Sequence, residues 1–349
     1  MASLCRHAVP LAALLGAASL AAQEATNRDQ SHYTELRPEG FPIRSDLAIV
    51  PAADAKLLDD DLVIGVELRG EARAYPVNLM WEPENEVLND TLGGKPISAT
   101  WCPIAHSAAV YDRSLDGRRL DLGAVGLREG IFILYDRATH SWWSQIKGTA
   151  LQGPLAGQTL EKHASTLTTW AAWRSVYPWT TVWTDPRLPG RRRFTQESLS
   201  RITLAGEGPI VNEDLVVGVE GPCGARAYLL RQLAVAGRVA NDTLDGVPIA
   251  VVLAEDAVSV FVWSRRLGEL TLTFTAADAF LRDLETGSSW DPRTGGAILG
   301  PLAGRGLGTV LHTSALWYAW RSQRPDTTLW NPDECAPGHD TRARVPNVP

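Results

Sequence analysis

The stretch DLVIGVE at residues 61–67 returns as DLVVGVE at residues 214–220. Four more segments return in the same order: ARAY at 72–75 and 225–228, NDTLGGKPI at 89–97 and NDTLDGVPI at 241–249, GPLAG at 153–157 and 300–304, and WAAWRSVYPWTTVW at 170–183 and WYAWRSQRPDTTLW at 317–330. Composition does not produce five matches in one order. The chain is therefore predicted to contain one folded unit twice.

The spacing between the copies falls along the chain, from 153 residues between Leu62 and Leu215 to 147 between Trp170 and Trp317. Deletions in connecting loops would produce this drift, because loops tolerate them better than strands or helices do. The predicted organisation is a signal peptide at 1–22, a lead-in at 23–58, a first repeat at 59–184, a linker at 185–213, a second, degenerate repeat at 214–331 and a disordered tail at 332–349.

The first residues are typical of an export signal. Arg6 and His7 precede an apolar stretch at 8–20, and the small residues Ala21 and Ala22 offer a cleavage site. We therefore expect a mature protein in the periplasm or outside the cell. No other segment approaches the roughly 20 apolar residues that a membrane-spanning helix needs, so no membrane span is predicted.

Charge and cysteine content narrow the function classes. The net charge is -7, and the only basic run is RRR at 191–193, which argues against a nucleic-acid surface. Cys5 would leave with the signal peptide, so Cys102, Cys223 and Cys335 remain. An odd number allows at most one disulfide, and whether Cys223 and Cys335 pair stays open.

Each repeat has the pattern of strands followed by one helix. The pairs Gly93-Gly94 and Asp245-Gly246 suit hairpin turns, which need positive φ. A helix capped by Ser165 or Thr166 and stopped by Pro178 is expected in the first repeat, with its counterpart at 314–323. The predicted fold class is α+β, mainly antiparallel β, in two similar β-rich domains that a short Trp-rich helix closes.

The tryptophans divide into two groups. Four in the first repeat have a tryptophan at the matching position of the second and are predicted to be core residues: Trp143, Trp170, Trp173 and Trp183, matched by Trp290, Trp317, Trp320 and Trp330. Trp101 and Trp142 occur in the first repeat only, so they are candidates for the lining of a pocket.

The segment TWCPIAHSAAVYDR, at 100–113, carries a cysteine and a histidine close together. In an extended strand their side chains would be roughly 13 Å apart. Pro103 favours a first helical turn, in which Cys102 and His106 converge. A thiol at such a turn beside an imidazole would favour the thiolate, a soft metal ligand or nucleophile. The alternative is that Cys102 is a small buried apolar residue and His106 a hydrogen-bonded core residue.

The second repeat lacks these groups. Ala254 and Val258 stand opposite Cys102 and His106, so any such site belongs to the first repeat. Three further polar residues are lost with them and become candidates for the same pocket: His140, Ser144 and Gln145, replaced by Gly287, Asp291 and Pro292.

The segments DLVIGVEL, ARAYPV, EVLNDTLGGKPI, TWCPIAHSAAVYDR, YDRATHSWWSQIKG, GPLAG and TTWAAW together resemble a bacterial and archaeal family labelled domain of unknown function 3179. The resemblance covers the first repeat nearly end to end and the second more faintly. Typical members resemble Tyr-Cys-Pro-Leu-Cys-Gly-Ser where this chain has Trp101 onward. Cys102 matches the first cysteine, and Ala105, followed by His106, replaces the second. The resemblance implies an exported protein and supplies no reaction.

Two hypotheses from different classes follow. In the first, Cys102 and His106, completed by His140 or by a residue from elsewhere in the chain, bind a soft transition metal such as copper or zinc, or Cys102 and His106 act in redox chemistry. In the second, the chain is a non-catalytic ligand-binding or scaffold module whose two repeats form a pseudo-symmetric groove for a peptide or glycan. Under either hypothesis the partner, a small ligand or a protein, is not identified by the sequence. Hydrolase chemistry through Ser107 or Ser144 is less favoured, because neither serine lies in a G-x-S-x-G motif.

Overall fold

The computed structural model describes residues 36–186, 194–205 and 208–332. The predicted signal peptide therefore lies outside the described residues, as does the predicted tail apart from residue 332. Across the described parts, the chain is mainly antiparallel β structure with four short α-helices: α1 (Trp170–Val176), α2 (Gln196–Leu204), α3 (Leu230–Val235) and α4 (Trp317–Gln323). None of these helices has the length and apolar character needed to cross a bilayer.

Residues 36–186 contain fifteen strands. They are β1 (Ala48–Pro51), β2 (Leu62–Leu68), β3 (Glu71–Pro76), β4 (Val87–Leu92), β5 (Lys95–Cys102), β6 (Ser107–Asp112), β7 (Ser114–Leu115), β8 (Arg118–Arg119), β9 (Leu122–Arg128), β10 (Ile131–Asp136), β11 (Trp142–Ser144), β12 (Ala150–Gln152), β13 (Lys162–His163), β14 (Ser165–Thr169) and β15 (Thr181–Thr184). Their three main sheets have the orders β1-β15-β3-β2-β14, β13-β6-β5-β4 and β12-β11-β10-β9, and β7 pairs with β8.

Residues 208–332 contain thirteen strands. They are β16 (Leu215–Glu220), β17 (Ala225–Leu229), β18 (Val239–Leu244), β19 (Val247–Leu253), β20 (Val260–Ser264), β21 (Arg266–Leu267), β22 (Leu270–Thr271), β23 (Phe274–Ala277), β24 (Phe280–Asp283), β25 (Ser289–Asp291), β26 (Gly296–Leu299), β27 (His312–Leu316) and β28 (Thr328–Leu329). Their sheets have the orders β27-β16-β17-β28, β18-β19-β20 and β23-β24-β25-β26, and β21 pairs with β22. β15 is parallel to β3, as β28 is to β17.

The two predicted Gly-containing hairpin turns are confirmed. Gly93 and Gly94 have φ of 56° and 71° between β4 and β5, and Asp245 and Gly246 have φ of 50° and 79° between β18 and β19. Both residues of each turn occupy the left-handed region, which glycine enters at little cost and aspartate tolerates better than most residues.

The predicted start of the first helix is wrong, because a β-strand occupies the residues that were expected to cap it. Ser165 and Thr166 lie in β14, which pairs with β2, and α1 begins only at Trp170. Thr169 is its cap, because the Thr169 hydroxyl accepts a hydrogen bond from the amide of Ala172 at 3.2 Å. The counterpart, expected at 314–323, likewise begins at Trp317. Strand pairing decided these boundaries, since β-branched residues fit a strand as well as a cap.

The segment expected as a linker contains helix α2. Thr195 and Ser198 form a capping box at its start, with Thr195 Oγ1 accepting from the Ser198 amide at 3.2 Å. Leu199 is buried in the main core, and α2 packs against α3. Residues 196–204 are therefore part of the folded body.

The largest apolar cluster takes residues from both repeats, among them Tyr75, Trp101 and Trp183 from the first and Tyr228 and Trp330 from the second. All eight repeat-matched tryptophans are buried, which confirms their prediction as core residues. Apolar burial contributes roughly 25 cal/mol per Å² to the free energy of folding, so this shared cluster stabilises the packing of one repeat against the other.

Candidate functional site

The Cys102 to His106 segment forms a hairpin turn and not the helical turn expected at Pro103. β5 ends at Cys102 and β6 begins at Ser107, and these two residues are paired across the hairpin. Strand pairing on both sides fixes the turn, so Pro103 lies at its start, where no ladder hydrogen bond is required of its nitrogen.

Cys102 is buried in an apolar environment, with 1% of its surface exposed. It borders a cavity of about 10 Å³, enough for roughly one water molecule, with Glu86 and Phe132 among its neighbours. The Sγ atom accepts a weak hydrogen bond from the amide of Ala105 at 3.4 Å. Burial, with the nearby Glu86 carboxyl adding to it, raises the pKa of the thiol to about 12. The expected thiolate is therefore wrong, because at neutral pH Cys102 is a thiol.

His106 packs against a different apolar cluster from Cys102. Its ring lies 5.4 Å from that of Phe194 and 6.2 Å from that of Trp101, and both of these residues belong to the main core, whereas Cys102 belongs to a second cluster. Burial lowers the pKa of His106 to about 4, so the imidazole is neutral at neutral pH. The Nδ1 atom has no hydrogen-bond partner among the described residues.

His140 is exposed and stacks on Tyr135, with the ring centroids 6.0 Å apart. In the described parts of the chain, no three His, Cys, Asp or Glu side chains are grouped closely enough to hold a metal ion. Cys102, His106 and His140 therefore do not form a three-ligand set for copper or zinc in this structure.

Two of the other predicted pocket residues, Ser144 and Gln145, are held by hydrogen bonds within the core. Ser144 donates to the Gln323 Oε1 atom at 2.6 Å, and Gln145 accepts from Ser107 at 2.9 Å, all buried. Trp101 is fully enclosed in the main core. Trp142 is half-buried on strand β11. These residues line neither the cavity beside Cys102 nor the larger pocket between the repeats.

That larger pocket, here called the inter-repeat pocket, has a volume of about 120 Å³. The first repeat contributes β2, β14 and α1, and the second contributes β20, the start of β27 and the loops before and after β26. The residues that matter for its chemistry are Glu67, Thr166, Trp173, Tyr177, Phe261, Trp263, Arg293, Thr309 and His312.

The indole N–H groups of the two pocket tryptophans are already satisfied. Trp173 Nε1 donates to Thr180 Oγ1 at 2.9 Å, and Trp263 Nε1 donates to the Pro292 carbonyl at 2.8 Å. Both residues therefore offer a ligand only the apolar surface of their rings. Trp173 also lies directly over Gly65, where a Cβ atom would come within 2.2 Å of the ring.

Three ionisable groups border the inter-repeat pocket. Glu67 Oε1 accepts from the Gly70 amide at 2.6 Å and has no ion pair among the described residues. Arg293 is paired with Asp291, with its Nη2 atom 2.8 Å from Oδ2. Burial lowers the pKa of His312, which is therefore neutral at neutral pH. With Arg293 neutralised by Asp291, which lies outside the lining, Glu67 is the one uncompensated charge among these three groups.

A second cleft between the repeats, here called the closed cleft, is filled by side chains. Lys162 Nζ donates to Thr313 Oγ1 and to the Ile146 carbonyl, both at 3.0 Å, and lies 3.5 Å from Glu220 Oε1. Arg324 also pairs with Glu220. The repeat alignment relates this cleft to the inter-repeat pocket, since it matches Glu220 to Glu67, Thr313 to Thr166, Ile146 to Arg293 and Arg324 to Tyr177.

Hydrogen bonding supports this register. Tyr111 donates to the Gln145 carbonyl at 2.5 Å in the first repeat, and its aligned residue Trp263 donates to the Pro292 carbonyl, which is aligned with Gln145. The same alignment matches Lys162 to Thr309. This loss of a lysine is the signal by which the sequence could have indicated the pocket.

Comparison with known proteins identifies the family of this chain. No curated protein and no solved structure matches the chain. Residues 40–327 match the family described as protein of unknown function (DUF3179). That range spans both repeats and includes the inter-repeat pocket as well as the Cys102 turn. By this match over most of its length, the chain belongs to the DUF3179 family.

Proposed function

We propose that this protein is a non-catalytic ligand-binding module and that its ligand occupies the inter-repeat pocket. One observation carries the proposal: a cavity of about 120 Å³ is lined by residues of both repeats. A binding module that uses both repeats requires this arrangement, whereas a site confined to the first repeat does not.

The lining has the character of a small-molecule site. Trp173, Phe261 and Trp263 provide apolar walls, and Glu67 and Thr166 provide polar groups. Apolar walls with a few placed polar groups are typical of ligand pockets. The volume of about 120 Å³ suits a ligand of a few non-hydrogen atoms.

The asymmetry between the two clefts supports a specific role for the open one. In the closed cleft, Gln323 binds Ser144 and Lys162 fills the space between the repeats. In the inter-repeat pocket the aligned residues are Val176, Asp291 and Thr309, which make no such contacts with one another. If the inter-repeat pocket binds a ligand, we expect it to stay open while the aligned closed cleft is filled by side chains.

We also infer that the two repeats are duplicated units and that the protein is exported. The sheet orders of the two repeats correspond strand for strand, apart from the edge strands β1 and β13, which among the described residues only the first repeat has, and this supports the duplication. The segment at 1–22 supports export. Amino-terminal sequencing of protein recovered outside the cytoplasm is expected to begin at Ala22 or Gln23, and an intact Met1 on exported protein would contradict cleavage.

The binding proposal is tested by filling the pocket. Ala172 lines it from helix α1, so Ala172→Trp would occupy its space. Ala171 lies on the same helix outside the lining and is aligned with Tyr318, which makes Ala171→Tyr the matched control. The probes are small amines, carboxylic acids and neutral aromatic compounds, detected by saturation-transfer NMR.

We expect at least one probe class to bind the wild type and the Ala171→Tyr variant and to lose its signal with Ala172→Trp. Absence of binding by every class to the wild type would refute the proposal. Equal signals with Ala172→Trp would refute it as well, because the probes would then bind elsewhere.

A further inference from the structure

In the closed cleft, the protein supplies its own ammonium group. The side chain of Lys162 is only 13% exposed, and its Nζ atom meets a hydroxyl, a carbonyl and a carboxylate oxygen. An ammonium has three donors and no acceptor, so these three oxygens match its needs. The cleft therefore shows how this fold binds a cation between its repeats.

The inter-repeat pocket keeps the carboxylate and the hydroxyl of the closed cleft, has Arg293, paired with Asp291, in place of Ile146, and lacks the lysine. Glu67, Thr166 and Arg293 line it, and they align with the three residues that bind the Lys162 ammonium. Thr309, which is short and uncharged, stands at the position aligned with Lys162. The pocket thus resembles the closed cleft after removal of its ammonium and butyl chain.

The charges favour replacement of that group by a ligand. Glu220 in the closed cleft is neutralised by two cations, Lys162 and Arg324. Glu67 has no ion pair among the described residues, because Thr309 and Tyr177 occupy the aligned positions. A partly buried carboxylate gains most from a cation that also brings hydrogen-bond donors.

The walls of the inter-repeat pocket add to this preference. Trp173, Tyr177, Phe261 and Trp263 present aromatic surface, which attracts organic cations through the ring quadrupole. Resting on the proposed function, we infer that the ligand is a small organic cation, a primary ammonium on a short apolar chain, with its ammonium at Glu67 and its chain among these rings.

The experiment uses n-butylammonium, which reproduces the end of the lysine side chain. Calorimetric titration of the full chain compares it with butyrate and 1-butanol, which have the same chain length with a negative or no charge. We expect n-butylammonium to bind at least tenfold more tightly than either. Equal or tighter binding of butyrate or 1-butanol would overturn the inference, as would no binding of n-butylammonium.

Two substitutions locate the binding. Glu67→Gln keeps the shape of the side chain and removes its charge, so it is expected to weaken n-butylammonium binding tenfold or more. Glu71→Gln, in the same hairpin but outside the pocket, makes the same change in net charge and is the control. Equal effects of the two substitutions would overturn the assignment of the ammonium to Glu67.

Thr309→Lys supplies the ammonium within the chain. We expect it to abolish n-butylammonium binding and to raise the midpoint of thermal unfolding, as a bound ligand would. Unchanged affinity in a folded Thr309→Lys variant would count against the equivalence of the two clefts and overturn the inference.

The inference can fail while the proposed function stands. Binding of butyrate or of a neutral aromatic probe that Ala172→Trp abolishes would keep the pocket as the ligand site and exclude a cation as its ligand. Failure of all charge classes in the wild type would remove both proposals.

Discussion

Adding one methyl group beneath each of two aligned tryptophans is expected to have unequal effects. Gly65 lies in the middle of β2 and Gly218 in the middle of β16. A Cβ atom on Gly65 would lie 2.2 Å from the Trp173 ring, and one on Gly218 would lie 2.3 Å from the Trp320 ring. Neither glycine has positive φ, so the penalty of alanine at both positions is steric.

The difference lies in where each tryptophan can move. Trp173 borders the inter-repeat pocket, so its ring can shift into about 120 Å³ of open space. Trp320 is completely buried and does not border that pocket, although both indoles donate to an aligned threonine, Trp173 to Thr180 at 2.9 Å and Trp320 to Thr327 at 3.0 Å. Overpacking costs typically 1–3 kcal/mol and occasionally more. We expect the free energy of unfolding to fall by about 1 kcal/mol for Gly65→Ala and by about 3 kcal/mol for Gly218→Ala.

Urea unfolding followed by tryptophan fluorescence measures both costs. Because the displaced Trp173 ring would fill the pocket, Gly65→Ala should also abolish n-butylammonium binding while remaining folded. Equal losses of stability, or a Gly65→Ala variant that still binds the probe at wild-type affinity, would show that Trp173 has no room to move and refute the reasoning.

Three further outcomes follow from buried groups. Iodoacetamide at neutral pH should label the exposed Cys223 in the folded protein and Cys102 only after denaturation, since burial keeps the latter a thiol; rapid labelling of Cys102 in a Cys223→Ser variant would contradict this. Burial lowers the pKa of His106 to about 4 from about 6.5, so the free energy of unfolding should fall by at most about 3 kcal/mol as the pH drops between those values. Asparagine tolerates the positive φ at this position, so His106→Asn should flatten that pH dependence. Hydrogen bonds, including one from Trp290 Nε1 at 2.9 Å, lower the pKa of Asp283, so its carboxylate should stabilise the fold above the unfolded pKa near 3.9 and lose that effect as the pH falls through the lower folded pKa. Asp283→Asn should therefore reduce the free energy of unfolding by about 2 kcal/mol at pH 7 and by less in acid, and a larger reduction in acid would contradict the assignment.

Local signals in the sequence predicted much of the fold. The two Gly-containing turns were identifiable because few residues other than glycine adopt positive φ readily. The matched tryptophans were identifiable as core residues because both repeats keep them. The helix starts were not, because Ser165 and Thr166 suit a cap, and only their pairing with β2 makes them a strand.

The candidate site was harder to predict. The sequence drew attention to Cys102 and His106, which are close in the chain, but the environment of each side chain depends on which core cluster it meets. The pocket residues Glu67, Trp173 and Arg293 are far apart in the chain; the fold of the first repeat brings Trp173 onto β2, and only the packing of the second repeat against it adds Arg293.

The sequence by itself determined that one β-rich pattern occurs twice, with its hairpin turns and its tryptophan core, because turns and apolar periodicity depend on neighbouring residues. Only the tertiary structure decided that one cleft between the repeats closes on Lys162 and that the related one stays open beside Glu67. The physical reason is that a contact between repeats depends on the docking of two surfaces, and neither repeat encodes that docking alone.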